Sequence, residues 1–441
     1  MSRRRRKLPL EPVLATIEAL SHEGRGITHV DGKTIFVDGA LKGESVMFRY
    51  RGSRAKFAEG SIEELIDNIS VDRVEPVCKH YSVCGGCSLQ HISTEKQIEH
   101  KEQVLQEQLQ HIGGVTAEQV LPPLTGPLWA YRHKARLGVK YVAKKNKVLV
   151  GFREKYSSYV ADIDSCEVLH PSAGKILREL GELISGLSVY NKIAQIEVAV
   201  SGQKTVLIFR NLTGLSGEDI NKVDAFANQY ELTIYLQPGG PSTVMPLPGQ
   251  DHSELSYLLE EGNIGIQFSA TDFTQVNVDI NQQMVKRVVS LMDIQAADNV
   301  LDLYCGLGNF TLPMALKANQ ITGVEGAEPM VEKARHNAKL NNIENVNFIS
   351  ADLSAPLIEA LRTDSYDKVL LDPPRSGAQF VVEEMKMKNV RRLIYVSCNP
   401  ATLARDAGIL VRDKGFKLVM AGVMDMFPHT SHVEAIAVFE H

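Results

Sequence analysis

The sequence predicts an α/β protein: a Rossmann-like parallel sheet that follows a small OB-like β-barrel and an α+β middle region. Three observations predict it. From about Asn281 onward, strand-like and helix-like runs alternate, as in a parallel sheet covered by helices on both faces. Val300–Leu303 runs into Tyr304-Cys305-Gly306-Leu307-Gly308-Asn309, a strand entering a glycine turn that opens a helix. Residues 11–66 are short apolar runs cut by Glu23-Gly24, Asp31-Gly32, Asp38-Gly39 and Lys42-Gly43, the spacing of a small barrel.

The barrel strands expected are Val13–Leu20, Gly26–Val30, Lys33–Val37 and Ser45–Arg51, with Asp31-Gly32 as a tight hairpin turn. Residues 70–115 hold three cysteines and then a helix around Glu95–His111. In the middle region, strands are expected at Ala135–Val142, Lys147–Phe152, Ile196–Val200, Thr205–Phe209 and Ile264–Phe268. A helix is expected near Ala173–Leu187, and Gln237-Pro238-Gly239-Gly240-Pro241 reads as a loop. The Rossmann-like strands are Asn299–Leu303, Gln320–Val324, Val346–Ile349, Lys368–Leu371 and Arg392–Val396. Lys417–Met420 and Val433–Phe439 lack a long helix between them and read as an antiparallel pair closing the sheet edge. The divisions implied are a basic arm at 1–10, a barrel at 11–66, a central domain at 67–272 and the C-terminal domain at 273–441.

A chain of 441 residues exceeds one ordinary domain, and 44% hydrophobic with 23% charged residues is the composition of a folded, soluble protein. No apolar run is long enough to span a bilayer, so no membrane partner is expected. Arg3–Arg6 resemble a signal-peptide n-region, but Leu8-Pro9-Leu10-Glu11-Pro12 is no h-region, and export is not expected. Six cysteines without a targeting segment point to the reducing cytoplasm, where clustered cysteines hold metals more often than disulfides. The net charge of −5 hides an asymmetry: residues 1–60 carry +5 and the remainder −10. A second basic stretch, Tyr131–Lys155, holds nine Lys/Arg against Glu154 alone. Either run alone is ordinary solvated surface; both together with the arginine arm point to a nucleic acid held at defined faces.

The glycine turn carries a nucleotide reading. A dinucleotide fold would place a third glycine where Thr311 stands, which argues against NAD. Glu325, ending the next strand, suits the two ribose hydroxyls of an adenosyl group, and Asp352, after the third strand, suits adenine. Asp372 in Asp372-Pro373-Pro374-Arg375 places a carboxylate and rigid carbonyls on the rim. Amino-methylating enzymes carry an aromatic residue where Arg375 stands, so a base amino group is the poorer acceptor. Ile394–Val396 then delivers the Cys398 thiol at a strand tip, across from the expected sulfonium of S-adenosylmethionine; a core cysteine would sit within the strand. A thiolate adding to pyrimidine C6 makes C5 nucleophilic, and a base must afterwards remove the C5 proton. Glu434 in the closing hairpin offers that base, with His429 and His432 as rivals.

Cys78-x5-Cys84-x2-Cys87 with Cys166 reads as a four-thiolate site, for which zinc and iron–sulfur are close rivals. Radical enzymes use Cys-x3-Cys-x2-Cys, so this spacing argues against radical chemistry. His80, His91 and His170 lie off the ligand spacing.

Two stretches carry a family resemblance over essentially the whole chain. They are Ser397-Cys398-Asn399-Pro400-Ala401-Thr402-Leu403-Ala404-Arg405-Asp406, and Phe427-Pro428-His429-Thr430 leading to Glu434. With them the chain resembles the bacterial RNA uracil-C5-methyltransferases. The resemblance implies a class I methyltransferase domain with Cys398 as nucleophile and Glu434 as proton acceptor. It implies S-adenosylmethionine contacts at Gln275, Tyr304, Asn309, Glu325, Asp352 and Asp372. Gln275, in Phe273-Thr274-Gln275-Val276-Asn277, carries no signal of its own. Tyr304 stands where relatives often have Phe, and Pro374 where some have Ala. The barrel corresponds to the family's TRAM domain, and the resemblance selects a [4Fe-4S] cluster for Cys78, Cys84, Cys87 and Cys166. The barrel separates the chain from the tRNA-specific relatives, which lack barrel and cluster, and from another group of 23S enzymes, which has the cluster alone; action on 23S ribosomal RNA as a monomer is expected. The same chemistry on tRNA, or a ribosome-assembly factor that binds RNA without catalysis, are the alternatives.

Overall fold

The computed structural model describes residues 9, 11–250, 254–355 and 365–441. The arginines at 3–6 lie outside the described residues. Two compact units emerge. One holds the chain through Gln103 with Arg153–Ala161 and Phe427–His432; the other holds Val104–Phe152, Asp162–Met426 and Val433–His441.

In the first unit, β1 (Val13–Thr16), β2 (Ala19–Leu20), β3 (Gly26–Val30), β4 (Lys33–Asp38), β5 (Ser45–Ser53) and β6 (Phe57–Asp67) form one sheet in the order β1-β5-β6-β4-β3-β2. Alternate residues point inward, so Ile35, Val37, Val46 and Phe48 build the core with Ile17, Ala40 and Ala58. Val30 pairs with Lys33 across Asp31-Gly32, both left-handed, as the hairpin turn demands. The expected run Val13–Leu20 is two strands. Ile17, fully buried, leaves the ladder and donates its N–H to the Glu44 carbonyl at 2.9 Å. The sequence reading missed β6, the longest strand of the barrel. Its Glu59, Gly60, Glu63 and Glu64 suppress strand propensity, and pairing to both β5 and β4 supplies what the residues lack.

Helix α1 (Thr94–Gln108) spans the division at Val104, and the first strand of the second unit is β7 (Gln119–Val120). Then come β8 (Lys134–Val142), β9 (Lys147–Gly151), α2 (Pro171–Gly174), α3 (Leu177–Ser185), β10 (Ile193–Ser201), β11 (Lys204–Asn211), α4 (Gly217–Gln229), β12 (Leu232–Leu236) and β13 (Met245–Pro246). The strands after β7 form the sheet β13-β12-β11-β10-β8-β9, and β14 (Leu255–Leu259) pairs with β15 (Ile264–Phe268). The expected helix at 173–187 is the two helices α2 and α3. Helix α4 was not expected, although Ser216 and Asp219 form a reciprocal capping box, a readable start signal.

The remaining elements are α5 (Val278–Met292), β16 (Asn299–Leu303), α6 (Thr311–Ala315), β17 (Gln320–Glu325), α7 (Glu328–Leu340), β18 (Val346–Ser350) and β19 (Lys368–Leu371). They continue with α8 (Gln379–Glu384), β20 (Arg392–Ser397), α9 (Pro400–Arg412), β21 (Lys417–Met424) and β22 (Glu434–Glu440). Their sheet runs β18-β17-β16-β19-β20-β22-β21-β7. The first five neighbours are parallel, and β22 lies antiparallel between β20 and β21. The order reverses at β16, which opens a crevice beyond the carboxyl ends of β16, β17 and β19. The antiparallel pair does not close the edge: β7 adds to β21 outside it, a two-residue strand too short for a periodic signal. Among the described residues no helix is long and apolar enough to cross a membrane.

Candidate active site

The glycine turn is held open by backbone geometry. Tyr304 (φ 66°), Gly306 (φ 53°) and Gly308 (φ 90°) are left-handed, and the N–H groups of Tyr304 and Cys305 both reach the Val324 carbonyl, at 2.8 and 3.0 Å. A Cβ on Gly306 would meet nothing, so the turn leaves room for a ligand to approach its backbone. Glu325 ends β17 beside it and accepts N–H bonds from Gly306 (3.2 Å) and Gly326 (2.8 Å). Burial, then the charges of Asp406, Asp352 and Glu325, push the Tyr304 phenol up to about 12. Asp352 itself is exposed, and Ser354 holds its carboxyl below the usual range.

Asn309 sits in a reciprocal amide pair with Asn281, both bonds 3.0 Å, and its Oδ1 also accepts from the Tyr257 hydroxyl at 3.0 Å. Asn281 and Tyr257 line a cavity of about 300 Å³ together with Gln275, Thr274, His133 and Phe268. Two lysines fix the Gln275 loop. Lys134 Nζ donates to the carbonyls of Ala270 (2.7 Å) and Asp272 (2.8 Å), and burial pulls it down to about 8. Lys333 Nζ bonds both Asp272 carboxylate oxygens at 2.6 Å. Part of the basic stretch read as an RNA face is thus internal.

The thiol and the candidate base meet through strand register. The β20–β22 ladder ends at Ser397 paired with Ala435, so Cys398 just past β20 and Glu434 at the start of β22 both follow its last pair, and the Glu434 charge acts on the Cys398 thiol. Asn399 caps α9, accepting the Ala401 N–H at 3.2 Å, and Pro400 begins the helix. Cys398 therefore stands at the positive end of a 13-residue helix, a setting that favours a thiolate. Burial and the Glu434 and Asp372 charges nevertheless raise the thiol to about 11, with Arg375 opposing. Burial lifts Glu434 to about 8, helped by Asp372 and opposed by Arg375, and burial alone lifts Asp372 to about 7. Burial thus favours the neutral forms of both carboxyls and of the thiol.

The rim loop after Asp372 is gripped by residues of the Cys398 segment whose role the sequence does not disclose. Asn399 Nδ2 donates to the Arg375 carbonyl (2.9 Å), Arg405 to the Ser376 carbonyl (2.9 Å), and the Ala378 N–H to Asp406 (2.7 Å). The Tyr395 hydroxyl also donates to Asp406 at 2.7 Å, and both residues are fully buried. Gly377 is left-handed (φ 79°), and a Cβ there would lie 2.6 Å from Arg405 and 2.7 Å from Asp406. Gly377→Ala should destabilise the protein by about 1–3 kcal/mol and lower methyl transfer, as thermal unfolding and turnover assays would show; unchanged turnover would refute the clamp.

Glu434, Asp372 and the fully buried Asp302, lifted to about 8, all have raised values. Such carboxyls add stability below their ordinary values and lose it as pH rises through the folded values. The ligand-free enzyme should therefore melt at progressively lower temperature from about pH 5 to pH 8. Glu434→Gln, neutral throughout, should flatten that fall; a parallel curve would show that Glu434 contributes nothing to it.

The rival bases sit in the first unit, tied to the cysteine segment. The main-chain N–H of the buried His429 donates to Gln97 Oε1 (2.9 Å), and its carbonyl accepts from the Ser88 and Leu89 N–H groups at 2.9 Å. The His432 ring packs on Phe427 at 5.3 Å. Cys78, Cys84, Cys87 and Cys166 are half-buried, and none is in a disulfide. In the first unit the Gly86 N–H reaches Cys84 Sγ at 3.4 Å, and the Cys78 charge acts on Cys84, whose thiol burial raises. In the second, the Cys166 N–H bonds the Gly174 carbonyl at 2.8 Å. Among the described residues no group of three or more His, Cys, Asp and Glu is drawn together as metal ligands.

Comparison with known proteins places these observations. The family described as tRNA (Uracil-5-)-methyltransferase matches residues 95–441, and the TRAM domain matches residues 11–62. The 23S rRNA (uracil(1939)-C(5))-methyltransferase RlmD of Hahella chejuensis (strain KCTC 2396) is 52% identical over 448 residues, covering 100% of each chain. The protein of the same name from Nitrosococcus oceani is 52% identical over 440 residues, covering 99% of this chain and 98% of that one. The solved tRNA (uracil-54, C5)-methyltransferase of Pyrococcus abyssi, in complex with S-adenosyl-L-homocysteine, shares the fold. It superposes with a TM-score of 0.74 over 97% of this chain and 100% of its own, at 23% identity. The chain belongs to the RNA uracil-C5-methyltransferase family and carries an N-terminal TRAM domain.

Proposed function

We propose that this chain methylates C5 of one uridine of 23S ribosomal RNA, the position named in its relatives, with S-adenosylmethionine as methyl donor. The observation that carries the mechanism is the ladder end Ser397–Ala435, which leaves Cys398 and the buried Glu434 as the next residues along the two strands at the carboxyl edge of the sheet. Gln275, Tyr304, Asn309, Glu325, Asp352 and Asp372 would hold the donor, whose sulfonium supplies the methyl group. The open backbone over Gly306 and the half-buried Glu325 carboxylate suit an adenosyl group.

The Cys398 thiolate bonds to uracil C6, and the electron pair displaced to C5 takes the methyl group, leaving a neutral thioether. Glu434 then accepts the C5 proton, C5=C6 re-forms, and the C6–S bond breaks to release the thiolate. Arg375, opposing both raised values, favours the charged forms of Cys398 and Glu434 as the cycle needs them. A uridine reached this way must be unpaired or flipped from its stack.

Cys78, Cys84, Cys87 and Cys166 would hold a [4Fe-4S] cluster with a structural role, since no step of the reaction needs it. Spacing, thiol chemistry and the Gly86 N–H aimed at Cys84 Sγ support this assignment. Anaerobically purified protein should contain iron and acid-labile sulfide in equal amounts. Cys84→Ala should lose both and bind RNA more weakly while keeping its S-adenosylmethionine affinity. Iron-free wild type, or a variant with normal RNA affinity, would reject it. The enzyme would act in the cytoplasm as a monomer, with the barrel at 11–66, the central domain at 67–272 and the methyltransferase domain at 273–441.

The test of substrate is methyl transfer from labelled S-adenosylmethionine to unmodified 23S rRNA and, separately, to bulk tRNA. C5-methyluridine at one 23S site supports the reading. Label in tRNA alone moves it to the tRNA branch, and label in neither leaves a binding factor.

A further inference from the structure

A nine-residue segment, Arg153–Ala161, leaves the strands that flank it in sequence and packs within the first unit. It is stitched to the cysteine segment by main chain. The Gly85 N–H donates to the Arg153 carbonyl (2.8 Å), the Lys155 N–H to the Val83 carbonyl (3.0 Å), and Cys84 bridges Glu154. It is stitched to the barrel by side chains: the Tyr156 hydroxyl and Lys155 Nζ both reach Asp38 of β4. The segment closes on itself, with the Glu154 N–H donating to the Tyr159 carbonyl at 2.9 Å and Arg153 bridging Val160.

A loop this firmly held would be expected to bury its aromatic residues. It exposes both. Tyr159 is 72% exposed and Tyr156 47%. Tyr156 is anchored at its hydroxyl, and the Arg51 guanidinium lies over its ring at 5.3 Å. Arg153 and Arg51 are exposed on the same unit, and the neighbouring acids are engaged: Asp38 by Tyr156 and Lys155, Glu154 by the Ser157 hydroxyl. Rigid aromatic faces beside exposed guanidinium groups are the combination that stacks unpaired bases and tracks their phosphates. Duplex RNA offers no free base face to such a ring.

We infer that the Arg153–Ala161 loop is a second RNA contact, in which Tyr159 and the Tyr156–Arg51 pair stack unpaired nucleobases of the substrate outside the catalytic pocket. The inference rests on the proposed action on RNA and adds where the strand is gripped. It also gives the cysteine segment a role in binding, because its main chain fixes the height and tilt of the tyrosine loop.

The experiment uses the full-length enzyme and measures affinity for an unmodified 23S rRNA transcript and for a fully paired RNA duplex. Tyr159→Ala should weaken binding to the transcript roughly tenfold and raise its KM similarly. It should leave kcat at saturating RNA, S-adenosylmethionine affinity, melting temperature and duplex affinity unchanged. Tyr159→Phe, which keeps the ring, should behave as wild type. Wild-type affinity in Tyr159→Ala overturns the inference, as does an equal loss on duplex and transcript. Failure of the wild type to bind the transcript at all overturns the functional reading together with it, so the two failures are distinguishable.

Discussion

Cys398→Ala is expected to keep its affinity for S-adenosylmethionine and RNA and to lose methyl transfer by on the order of 10⁴-fold or more. The size follows from the chemistry. Uracil C5 does not attack a sulfonium unaided, and no second thiol takes this place: Cys305 is buried, with its thiol raised well above the ordinary value by burial and by Asp302. Cys398 is a half-buried thiol at the sheet edge, just before the Asn399 cap of α9 and acted on by Arg375. Burial raises its value, so a neighbouring positive charge is needed to favour the thiolate. In the proposed mechanism a cationic donor near Asp372 would favour the ionised carboxyls and the thiolate alike. Single-turnover assays with saturating RNA separate the expected loss in kcat from binding. A variant that retained a tenth of wild-type turnover would remove the covalent mechanism.

Glu434→Gln is expected to stop the cycle one step later. The amide matches the carboxyl in shape but accepts no proton, so C5 is methylated and the C6–S bond persists. Turnover should fall by about 10²–10⁴, while an enzyme–RNA adduct accumulates on ordinary uridine and survives denaturing electrophoresis. Cys398→Ala should form no such adduct. The buried carboxyl, lifted to about 8, is a stronger base than a solvated glutamate and suited to neutral pH. If Glu434→Gln turned over slowly without accumulating adduct, another group would be the proton acceptor.

Much of this site was legible because its residues stand at strand ends. Glu325, Asp372 and Cys398 each close or follow a parallel strand whose apolar run is plain in the sequence, and a parallel sheet has one functional edge. Gln275 was not legible from composition. It lies on a loop positioned by Lys134 and Lys333, and nothing local says that those lysines are spent on backbone and on Asp272. The Tyr395–Asp406 clamp was hidden for the same reason: a buried hydrogen bond across eleven residues leaves no periodicity. In the barrel, β6 escaped notice because its strand character comes from two neighbours rather than from its own side chains. Helix α4 escaped despite its capping box, and β7 is too short to read at all.

A covalent bond between Cys398 and the target base is the centre of this mechanism. Replacing the target uridine by 5-fluorouridine removes the proton that Glu434 must take, so the adduct cannot resolve. Wild-type enzyme, S-adenosylmethionine and this RNA should give a complex whose digest carries methylated 5-fluorouridine on the peptide containing Cys398. No adduct, or an adduct on another residue, would contradict the mechanism.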